Sequence, residues 1–389
     1  MFHILSDADI KEGAVTDIYF VRTKEILSGL GITRNVVAET YIRKLPEGWP
    51  WAVFCGLEEV LTLLSGHDVT VRSLPEGTIF RAGEPVLEIE GEYTDFGIHE
   101  TAILGCLCQA SGIATKAARC RVAAGEKPLI SFGARRMHPA IAPMIDRSAF
   151  IGGCDGVSSV ASAKQLGEEP IGTMPHALIL ILGNTVEAAQ TFDRFIEKEV
   201  NRIVLIDTFN DEKFEAVNVA EALGDRLFGV RLDTPGSRRG DFVEILKEVR
   251  WELNLKGHSH VKLLTSGGLN EYSIQELLPF CDAFGVGTSI SSAVTVDFSF
   301  DIVEIEGESV GKRGKKSGRK DLFRCNGCGS SLVTAYGEKP KRCTCGGTYM
   351  PMLKTYKPAR DLTNLPTPRE IRTRVLEQLK HFTPDDLTA

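Results

Sequence analysis

The sequence predicts an α/β fold that combines an incomplete or irregular α/β barrel, an α+β open-sandwich domain and a small C-terminal module built on cysteines. Three patterns support this prediction: apolar runs recurring between residues 203 and 290, alternating runs before residue 115, and four closely spaced cysteines after residue 320. A chain of 389 residues is long enough for two or three domains. The predicted parts are an N-terminal sandwich at 1–115, the barrel at 116–297, return strands at 298–320, the cysteine module at 321–350 and a C-terminal extension with a helix at 351–389.

The barrel is predicted from four apolar runs that each end abruptly in polar or glycine residues. The runs occupy residues 203–207, 228–233, 261–268 and 284–288. Such runs suit parallel strands covered on both faces, and the roughly 20 to 35 residues between them leave room for a helix. Because chemistry gathers at the carboxyl ends of parallel strands, the Asp, Arg and glycine residues at these ends predict a site for a phosphorylated sugar.

The flanking segments predict a second sheet and two longer helices. Alternating apolar and polar residues at 69–72, 78–80 and 85–91 predict an antiparallel sheet with one face in water. Residues 100–124 are predicted as a helix, and the alternating segment 298–310 is predicted to rejoin the first sheet. A C-terminal helix over 368–382 is predicted from its capping box, in which Thr367 is the N-cap and Glu370 the third helical residue.

The composition and charge of the chain argue against nucleic acid and a membrane as its partners. The chain is 43% hydrophobic and 25% charged with a net charge of −7, which argues against nucleic acid as a general partner. It has no apolar stretch of the ~18 residues that a membrane span needs. It also has no signal-peptide pattern at its start, so a cytoplasmic location is expected. The basic, glycine-rich segment 311–320 is interpreted either as a solvated loop or as a local anion contact.

The cysteines fall into two groups. Single cysteines in apolar surroundings are expected to be free thiols rather than disulfides in a chain without an export signal; they are Cys55, Cys106, Cys108, Cys120, Cys154 and Cys281. The other four lie close together, and glycines follow each pair; they are Cys325, Cys328, Cys343 and Cys345. Four thiolates at this spacing predict a closed structural zinc site, and the alternatives are two redox pairs or a site that has lost its metal.

Two glycine-rich turns at late strand ends predict a phosphate cradle. Their residues are Ser266, Gly267 and Gly268 after one strand, and Gly285, Gly287 and Thr288 at the next. Glycines let backbone N–H groups approach a phosphate, and a helix start adds a partial positive charge. The alternative is that both segments are ordinary turns.

Charged residues precede these turns. Asp207 ends the first of the four runs, and Arg231 and Asp233 lie two residues apart at the end of the second. Carboxylates suit ribose hydroxyls and an Arg suits pyrophosphate, although the same residues could form a purely structural ion pair.

An aromatic residue and two arginines follow the apolar segment 129–131. Phe132 with Arg135 and Arg136 suits a flat anionic ring, because the aromatic side chain stacks and a guanidinium pairs with a carboxylate. His138 is interpreted either as a member of this site or as a loop histidine. His176 begins an apolar helical segment, where a lone histidine is more often structural than chemical, but the neighbouring Gly and Thr favour a site role.

These motifs together resemble those of nicotinate phosphoribosyltransferases of the archaeal type. That family lies within the group that also contains the quinolinate and nicotinamide phosphoribosyltransferases. The resemblance extends from Thr16 to Gly287, and its most specific segments are 132–136, 152–159, 172–176 and 231–233. Three departures are visible: Thr-Pro-Gly follows Asp233 where the family has Ser-Gly-Asp, Met-Pro precedes His176, and most of the family has no counterpart of the cysteine module.

The resemblance implies roles for the ring-binding residues. Phe132 would stack on a pyridine ring beside Arg135, with Tyr19 of a neighbouring subunit on the other face. Ser158 stands where nicotinamide-specific relatives carry an Asp, which favours the acid over the amide. His176 would be the histidine that ATP-using members phosphorylate.

The resemblance also implies an activity. The chain would transfer a phosphoribosyl group from phosphoribosyl pyrophosphate to nicotinate in NAD biosynthesis, with Mg²⁺ on the pyrophosphate and with ATP hydrolysis driving the reaction. Asp207, Arg231 and Asp233 would serve ribose and pyrophosphate, and the two glycine turns would hold the 5-phosphate. The working unit would be a homodimer or higher homo-oligomer with a shared active site. The alternatives are a decarboxylating quinolinate phosphoribosyltransferase and a zinc-ribbon interaction protein on a barrel scaffold.

Overall fold

The computed structural model describes residues 2–238 and 240–388. It is a mixed α/β structure with a curled parallel half-barrel sheet, a second large sheet and many helices. In chain order the strands are β1 (Asn35–Tyr41), β2 (Ala52–Val53), β3 (Thr70–Ser73), β4 (Ile79–Phe80), β5 (Pro85–Glu92), β6 (Leu129–Ser131), β7 (Gly156–Val157), β8 (Arg202–Leu205), β9 (Leu227–Leu232), β10 (Lys262–Thr265), β11 (Ala283–Val286), β12 (Ser299–Ile305), β13 (Glu308–Ser309), β14 (Lys320–Cys325), β15 (Ser331–Ala335), β16 (Tyr349–Pro351) and β17 (Lys354–Tyr356).

The α-helices separate these strands. They are α1 (Asp7–Lys11), α2 (Ile18–Gly29), α3 (Leu57–Leu63), α4 (Tyr93–Phe96), α5 (Glu100–Ala124), α6 (Ala142–Ile151), α7 (Val160–Leu166), α8 (His176–Leu182), α9 (Thr185–Phe195), α10 (Glu212–Leu223), α11 (Phe242–Leu255), α12 (Glu271–Leu277), α13 (Thr288–Ser291), α14 (Pro358–Asp361) and α15 (Pro368–Leu379). Across the described ranges, no helix is both long enough and apolar enough to cross a membrane.

The chain divides into two compact units. The first unit comprises the chain up to Thr115, Val294–His381 and the residues from Asp385 onward. The second unit comprises Lys116–Ala293 and Phe382–Pro384. The chain passes from the first unit to the second within the predicted 100–124 helix, which the structure confirms as α5.

The first unit is built on a six-stranded antiparallel sheet in the order β13-β12-β1-β5-β3-β17. The predicted runs 69–72 and 85–91 form neighbouring strands of this sheet, whereas the run 78–80 pairs with β2 in a separate two-stranded sheet. The return of the chain after the second unit is confirmed, because β12 pairs with β1 from Tyr41 opposite Ser299 to Val36 opposite Ile305.

The prediction that one face of this sheet is in water is wrong. The polar side chains of Glu39 and Glu88 are only 3% and 1% exposed. A segment far along the chain covers them: Lys320 Nζ lies 2.9 Å from Glu39 Oε1, and Arg319 Nε lies 3.1 Å from Glu88 Oε1. Arg72 on the sheet itself makes a further ion pair with Glu88 at 3.0 Å. Buried carboxylates need such partners, so the basic segment replaces water over the sheet.

The C-terminal helix is confirmed with its predicted cap. The Thr367 hydroxyl accepts the Glu370 amide, and the Glu370 carboxylate accepts the Thr367 amide in return. Ile371 and Val375 are buried on its inner face, as the 3.6-residue spacing predicts. The helix ends at Leu379, three residues before the predicted end.

The second unit contains a six-stranded parallel sheet in the order β7-β6-β11-β10-β9-β8. All four predicted apolar runs contribute strands, and each neighbouring pair is parallel. Within the described residues β7 and β8 are the two edges, so the sheet is a half-barrel rather than a closed barrel. This confirms the incomplete barrel predicted from the sequence.

Candidate active site

The carboxyl ends of the parallel strands place most of the predicted site residues at one edge of the sheet. The residues that follow these ends are Phe132 after β6, Ser158 after β7, Asp207 after β8, Asp233 after β9, Ser266 after β10 and Gly287 after β11. Arg231 is the penultimate residue of β9. Because the strands are parallel, their ends meet at one edge, which is where open α/β sheets bind ligands.

Arg231 is held in one orientation by three side chains. Its Nε donates to Ser266 Oγ at 2.8 Å, and its Nη1 donates to Thr173 Oγ1 at 2.9 Å. Its Nη2 lies 3.4 Å from Asp233 Oδ1. The guanidinium carbon also lies 4.7 Å from the centre of the Phe132 ring, a cation–π distance. The Arg231 side chain remains 17% exposed, so part of its charge faces the site.

The Ser266 hydroxyl connects this arginine to a carboxylate. It accepts from Arg231 Nε and lies 2.7 Å from Asp233 Oδ1, to which it donates. The hydroxyl is therefore engaged within the protein. The Ser266 amide is engaged as well, because it donates to the Leu232 carbonyl at 2.9 Å. Phosphate binding by the Ser266 segment stays a prediction.

The turn after β10 requires glycine. Gly267 and Gly268 have φ values of +87° and +73°, and a Cβ on Gly267 would lie 3.0 Å from the Asp233 carbonyl oxygen. Two amides at the start of the following helix are already satisfied, because the Asn270 side chain accepts those of Tyr272 and Ser273. An anion at this turn would therefore meet the turn's amides rather than the N-terminus of α12.

Gly285 makes room for the aromatic side chain. It lies inside β11, and a Cβ at this position would come within 2.6 Å of Phe132 Cδ2. The Phe132 amide donates to the Val286 carbonyl at 2.8 Å, which fixes the backbone that carries the ring. This contact gives Gly285 a packing role, while phosphate binding at Gly285, Gly287 and Thr288 stays a prediction.

His176 forms a pair with Asp207. His176 Nε2 lies 3.0 Å from Asp207 Oδ1, and the two side chains are 37% and 4% exposed. Burial raises the pKa of Asp207, an effect that the neighbouring His176 opposes. The buried Asp207 carboxylate contacts Nε2 and thereby orients the imidazole. Nδ1 is the second ring nitrogen, which could act as a nucleophile. The segment before the histidine is anchored, because the Met174 amide donates to the Ile203 carbonyl at 3.1 Å.

The remaining ring-pocket candidates of this unit lie near the surface. Arg135 and Arg136 are exposed in a 3₁₀ turn, Ala134–Arg136. His138 is exposed as well, and its Nδ1 accepts the Ala140 amide at 3.2 Å, a local capping contact. Ser158 is half-buried directly after β7. Their roles in binding stay predictions.

Tyr19 lies in the first unit, on α2. Its side chain is 56% exposed, and its hydroxyl donates to Asp17 Oδ2 at 3.3 Å. An exposed aromatic ring is compatible with contact to another copy of the chain, and its predicted role across a subunit boundary stays a prediction.

Sequence reasoning missed two polar residues near this edge. Thr173 contacts Arg231, although 58 positions separate the two residues. Asp146 is fully buried on α6 and lies 3.3 Å from the Ser131 hydroxyl, and burial raises its pKa. A lone Thr or Asp carries no sequence signal of its own, although Thr173 falls within the recognised segment 172–176.

The four predicted ligand cysteines come together in the first unit. All four Sγ atoms lie within 4.8 Å of one another, with 3.4 Å between Cys325 and Cys345 and 3.6 Å between Cys328 and Cys343. Four sulfurs at a Zn–S distance of ~2.3 Å around a tetrahedral ion lie ~3.8 Å apart. The cluster therefore fits a four-thiolate metal site, held at the end of β14 in the three-stranded sheet β15-β14-β16.

Two family models match most of the chain. Residues 17–111 match the N-terminal domain model of quinolinate phosphoribosyl transferase, and residues 113–301 match the C-terminal domain model of the same name. A crystal structure of nicotinate-nucleotide pyrophosphorylase from Pyrococcus furiosus is 55% identical, covers 97% of this chain and 98% of its own, and superposes with a TM-score of 0.95. The chain belongs to the quinolinate phosphoribosyl transferase family.

Two further relatives have lower sequence identity to this chain. Nicotinate phosphoribosyltransferase pncB2 of Mycobacterium tuberculosis is 28% identical over 353 residues, which is 79% of this chain and 74% of the relative. The structure of human nicotinic acid phosphoribosyltransferase has 20% identity and a TM-score of 0.75, covers 96% of this chain and 95% of its own, and shares the fold. The resemblance to nicotinate phosphoribosyltransferases stated from the motifs is thereby confirmed.

Proposed function

We propose that this protein is a nicotinate phosphoribosyltransferase. It would join nicotinate to the ribose of phosphoribosyl pyrophosphate and release pyrophosphate. The observation that carries the proposal is the Arg231 cluster at the edge of the sheet where the glycine turns begin. Its partly exposed guanidinium is held between Ser266 and Asp233 and lies over the Phe132 ring. One side of this cluster suits pyrophosphate and ribose, and the aromatic ring beside it suits the pyridine.

The ribose and phosphates would bind along the late strand ends. The turn amides at Gly267 and Gly268, and those at the start of α13, would hold the 5-phosphate. Arg231 would pair with the pyrophosphate, as a guanidinium does bidentately with phosphate oxygens. Carboxylate oxygens such as those of Asp207 and Asp233 are the ligands that Mg²⁺ prefers, so Mg²⁺ bound to the substrate's pyrophosphate would fit beside them.

The reaction would be one of position and electrostatics. The ring nitrogen of nicotinate attacks the anomeric carbon, a new C–N bond forms, and the C–O bond to pyrophosphate breaks with its electron pair on the leaving oxygen. Positive charge develops on the ribose, where the carboxylates of Asp207 and Asp233 stabilise it. Arg231 stabilises the negative charge of the departing pyrophosphate, and the turns hold the two reactants in line.

The pyridine ring would lie against Phe132. One side of that ring contacts the Arg231 guanidinium, so nicotinate would use the remaining accessible surface of Phe132. Arg135, Arg136 and His138 would surround the nicotinate carboxylate, and Ser158 would admit the acid without repelling it. In a homodimer or larger homo-oligomer, Tyr19 of a second copy would cover the pyridine.

ATP would act through His176. The ring nitrogen not held by Asp207, Nδ1, would attack the γ-phosphorus of ATP, so that a P–N bond forms, the P–O bond breaks and ADP leaves. Hydrolysis of the phosphohistidine after transfer would drive the overall reaction. Incubation with γ-labelled ATP should label the wild-type protein and leave His176→Ala unlabelled; a label that survives in the variant would rule His176 out.

Zinc is proposed at the four cysteines. Their sulfurs form a closed set with no position for a substrate, so the ion would stabilise the lobe of β14, β15 and β16 and take no part in catalysis. A lobe this small has little core of its own and benefits from a metal crosslink.

Quinolinate is the second candidate substrate. The two domain models carry the name of the quinolinate enzyme, which keeps a decarboxylating transfer from quinolinate open. The test supplies each acid separately with phosphoribosyl pyrophosphate and Mg²⁺, with and without ATP, and measures mononucleotide by chromatography. Nicotinate should give nicotinate mononucleotide, with faster or more complete conversion when ATP is present. An enzyme active on quinolinate alone would disprove the proposal.

A further inference from the structure

We propose that Thr173 is a positioning residue for the reaction. Its hydroxyl would fix the Arg231 guanidinium in the orientation that binds pyrophosphate, and would tie that guanidinium to the segment that carries His176. The inference rests on the proposed function, because it assigns Arg231 to the pyrophosphate.

The donors of Arg231 show what Thr173 contributes. A guanidinium carries five N–H donors in a fixed plane. Ser266 takes the one on Nε, Thr173 takes one on Nη1, and Asp233 lies against Nη2. One N–H on each terminal nitrogen is left over, and this pair is what a phosphate oxygen pair needs.

The Thr173 hydroxyl keeps the Arg231 guanidinium from moving toward the Asp233 carboxylate. The contact between Arg231 Nη2 and Asp233 Oδ1 is long at 3.4 Å, whereas the contact to Thr173 Oγ1 is 2.9 Å. Without the threonine hydroxyl, the side-chain acceptors that contact Arg231 within the described residues are those of Ser266 and Asp233. The guanidinium would then rotate to close the ion pair with Asp233, and its positive charge would be neutralised within the protein rather than by the substrate.

The segment that holds Thr173 is anchored from both sides. The next residue, Met174, is fully buried, and its amide donates to the Ile203 carbonyl of β8. Three residues after Thr173, the His176 ring contacts Asp207, which follows the same strand. One short segment therefore contacts Arg231 through Thr173 and Asp207 through His176.

The test compares Thr173→Val, which removes the hydroxyl at nearly constant shape, with Thr173→Ser, which keeps it. Binding of inorganic pyrophosphate with Mg²⁺ is measured by titration calorimetry, and KM for both substrates and kcat by steady-state kinetics. We expect Thr173→Val to raise the pyrophosphate Kd and the KM for phosphoribosyl pyrophosphate by roughly tenfold to a hundredfold, the range that follows from losing one hydrogen bond to a charged group. Thr173→Ser should stay within about twofold of the wild type, and the KM for nicotinate should change little in both variants.

Two controls separate positioning from a general structural role. Thr355→Val makes the same change at an exposed position on the edge strand β17 and should leave all constants as in the wild type. In an Arg231→Ala background, Thr173→Val should cause no further loss, because the hydroxyl acts through the arginine. Thr173→Ala, with the same expected result, serves as the second variant if valine impairs folding, which thermal melting reveals.

The outcomes are distinguishable. Wild-type pyrophosphate affinity in Thr173→Val, or fully additive losses in the double variant, would overturn the role of Thr173 while leaving the transferase activity intact. A wild-type protein that neither binds pyrophosphate nor forms a mononucleotide would overturn the proposed function and the inference with it.

Discussion

The substitution Gly285→Ala adds one methyl group beside Phe132 and so tests how tightly the proposed ring pocket is packed. The added Cβ would lie within 2.6 Å of Phe132 Cδ2, and carbon atoms in contact prefer ~3.5 Å or more, so the ring must move by about 1 Å. The backbone offers little relief, because the Phe132 amide is bonded to the Val286 carbonyl at 2.8 Å. The side chain must therefore rotate away from its place over the Arg231 guanidinium.

The expected effects follow from this displacement. Overpacking of this kind costs ~1–3 kcal/mol, and a unit of this size loses ~2–4 °C in Tm for each kcal/mol. Loss of a well-placed aromatic surface is worth ~0.5–1.5 kcal/mol, so the KM for nicotinate should rise by up to about tenfold. The KM for phosphoribosyl pyrophosphate should rise less, because Ser266, Asp233 and Thr173 still hold Arg231. Steady-state kinetics in both substrates and thermal melting provide the measurements.

Gly105→Ala is the matched control. Gly105 lies on α5, and a Cβ there would have no neighbour within 4 Å, so alanine should leave the kinetics unchanged and stabilise the helix slightly. A Gly285→Ala protein with wild-type KM for nicotinate and wild-type Tm would refute the reasoning, because it would show that the added methyl group does not displace the Phe132 ring.

Three further predictions concern the first unit. Lys320→Met should lower the free energy of unfolding by ~3–5 kcal/mol in urea titrations, because it leaves buried Glu39 without its cation, whereas Lys312→Met on a largely exposed side chain should cost ~1 kcal/mol or less. Burial and neighbouring carboxylates raise the pKa of Glu100 from 4.5 to about 7, so its contribution to stability is complete below pH 4.5 and is lost as the pH rises through 7. Glu100→Gln should therefore flatten this part of the pH profile of Tm, and an unchanged profile would contradict the assignment. Metal analysis should find about one zinc per chain, and Cys343→Ser should lose both the zinc and several degrees of Tm; full zinc content in that variant would exclude the four-thiolate site.

Local patterns predicted the parallel strands and the C-terminal helix well. An apolar run with β-branched residues is enough to identify a strand that is covered on both faces, and the capping box of Thr367 and Glu370 depends on residues three positions apart. Strand ends were predicted less well: the apolar run continues to Ile206, one residue beyond the end of β8 at Leu205.

Long-range contacts account for what the sequence did not predict. The strands of the first unit alternate as a half-exposed sheet does, yet Lys320, 281 positions after Glu39, buries the polar face. Likewise, the contact between Thr173 and Arg231 joins a loop to strand β9, and the distance between them depends on the whole half-barrel. The sequence shows which side chains are charged, but the fold determines which oppositely charged side chain pairs with each buried one.

The most direct test of the central proposal is a competition. Nicotinate and carboxyl-labelled quinolinate at equal concentration share a limiting amount of phosphoribosyl pyrophosphate, with Mg²⁺ and ATP, and the mononucleotide and released CO₂ are both measured. We predict nicotinate mononucleotide equal to the nicotinate consumed, with no labelled CO₂. Labelled CO₂ in proportion to the mononucleotide formed, with nicotinate left intact, would contradict the account.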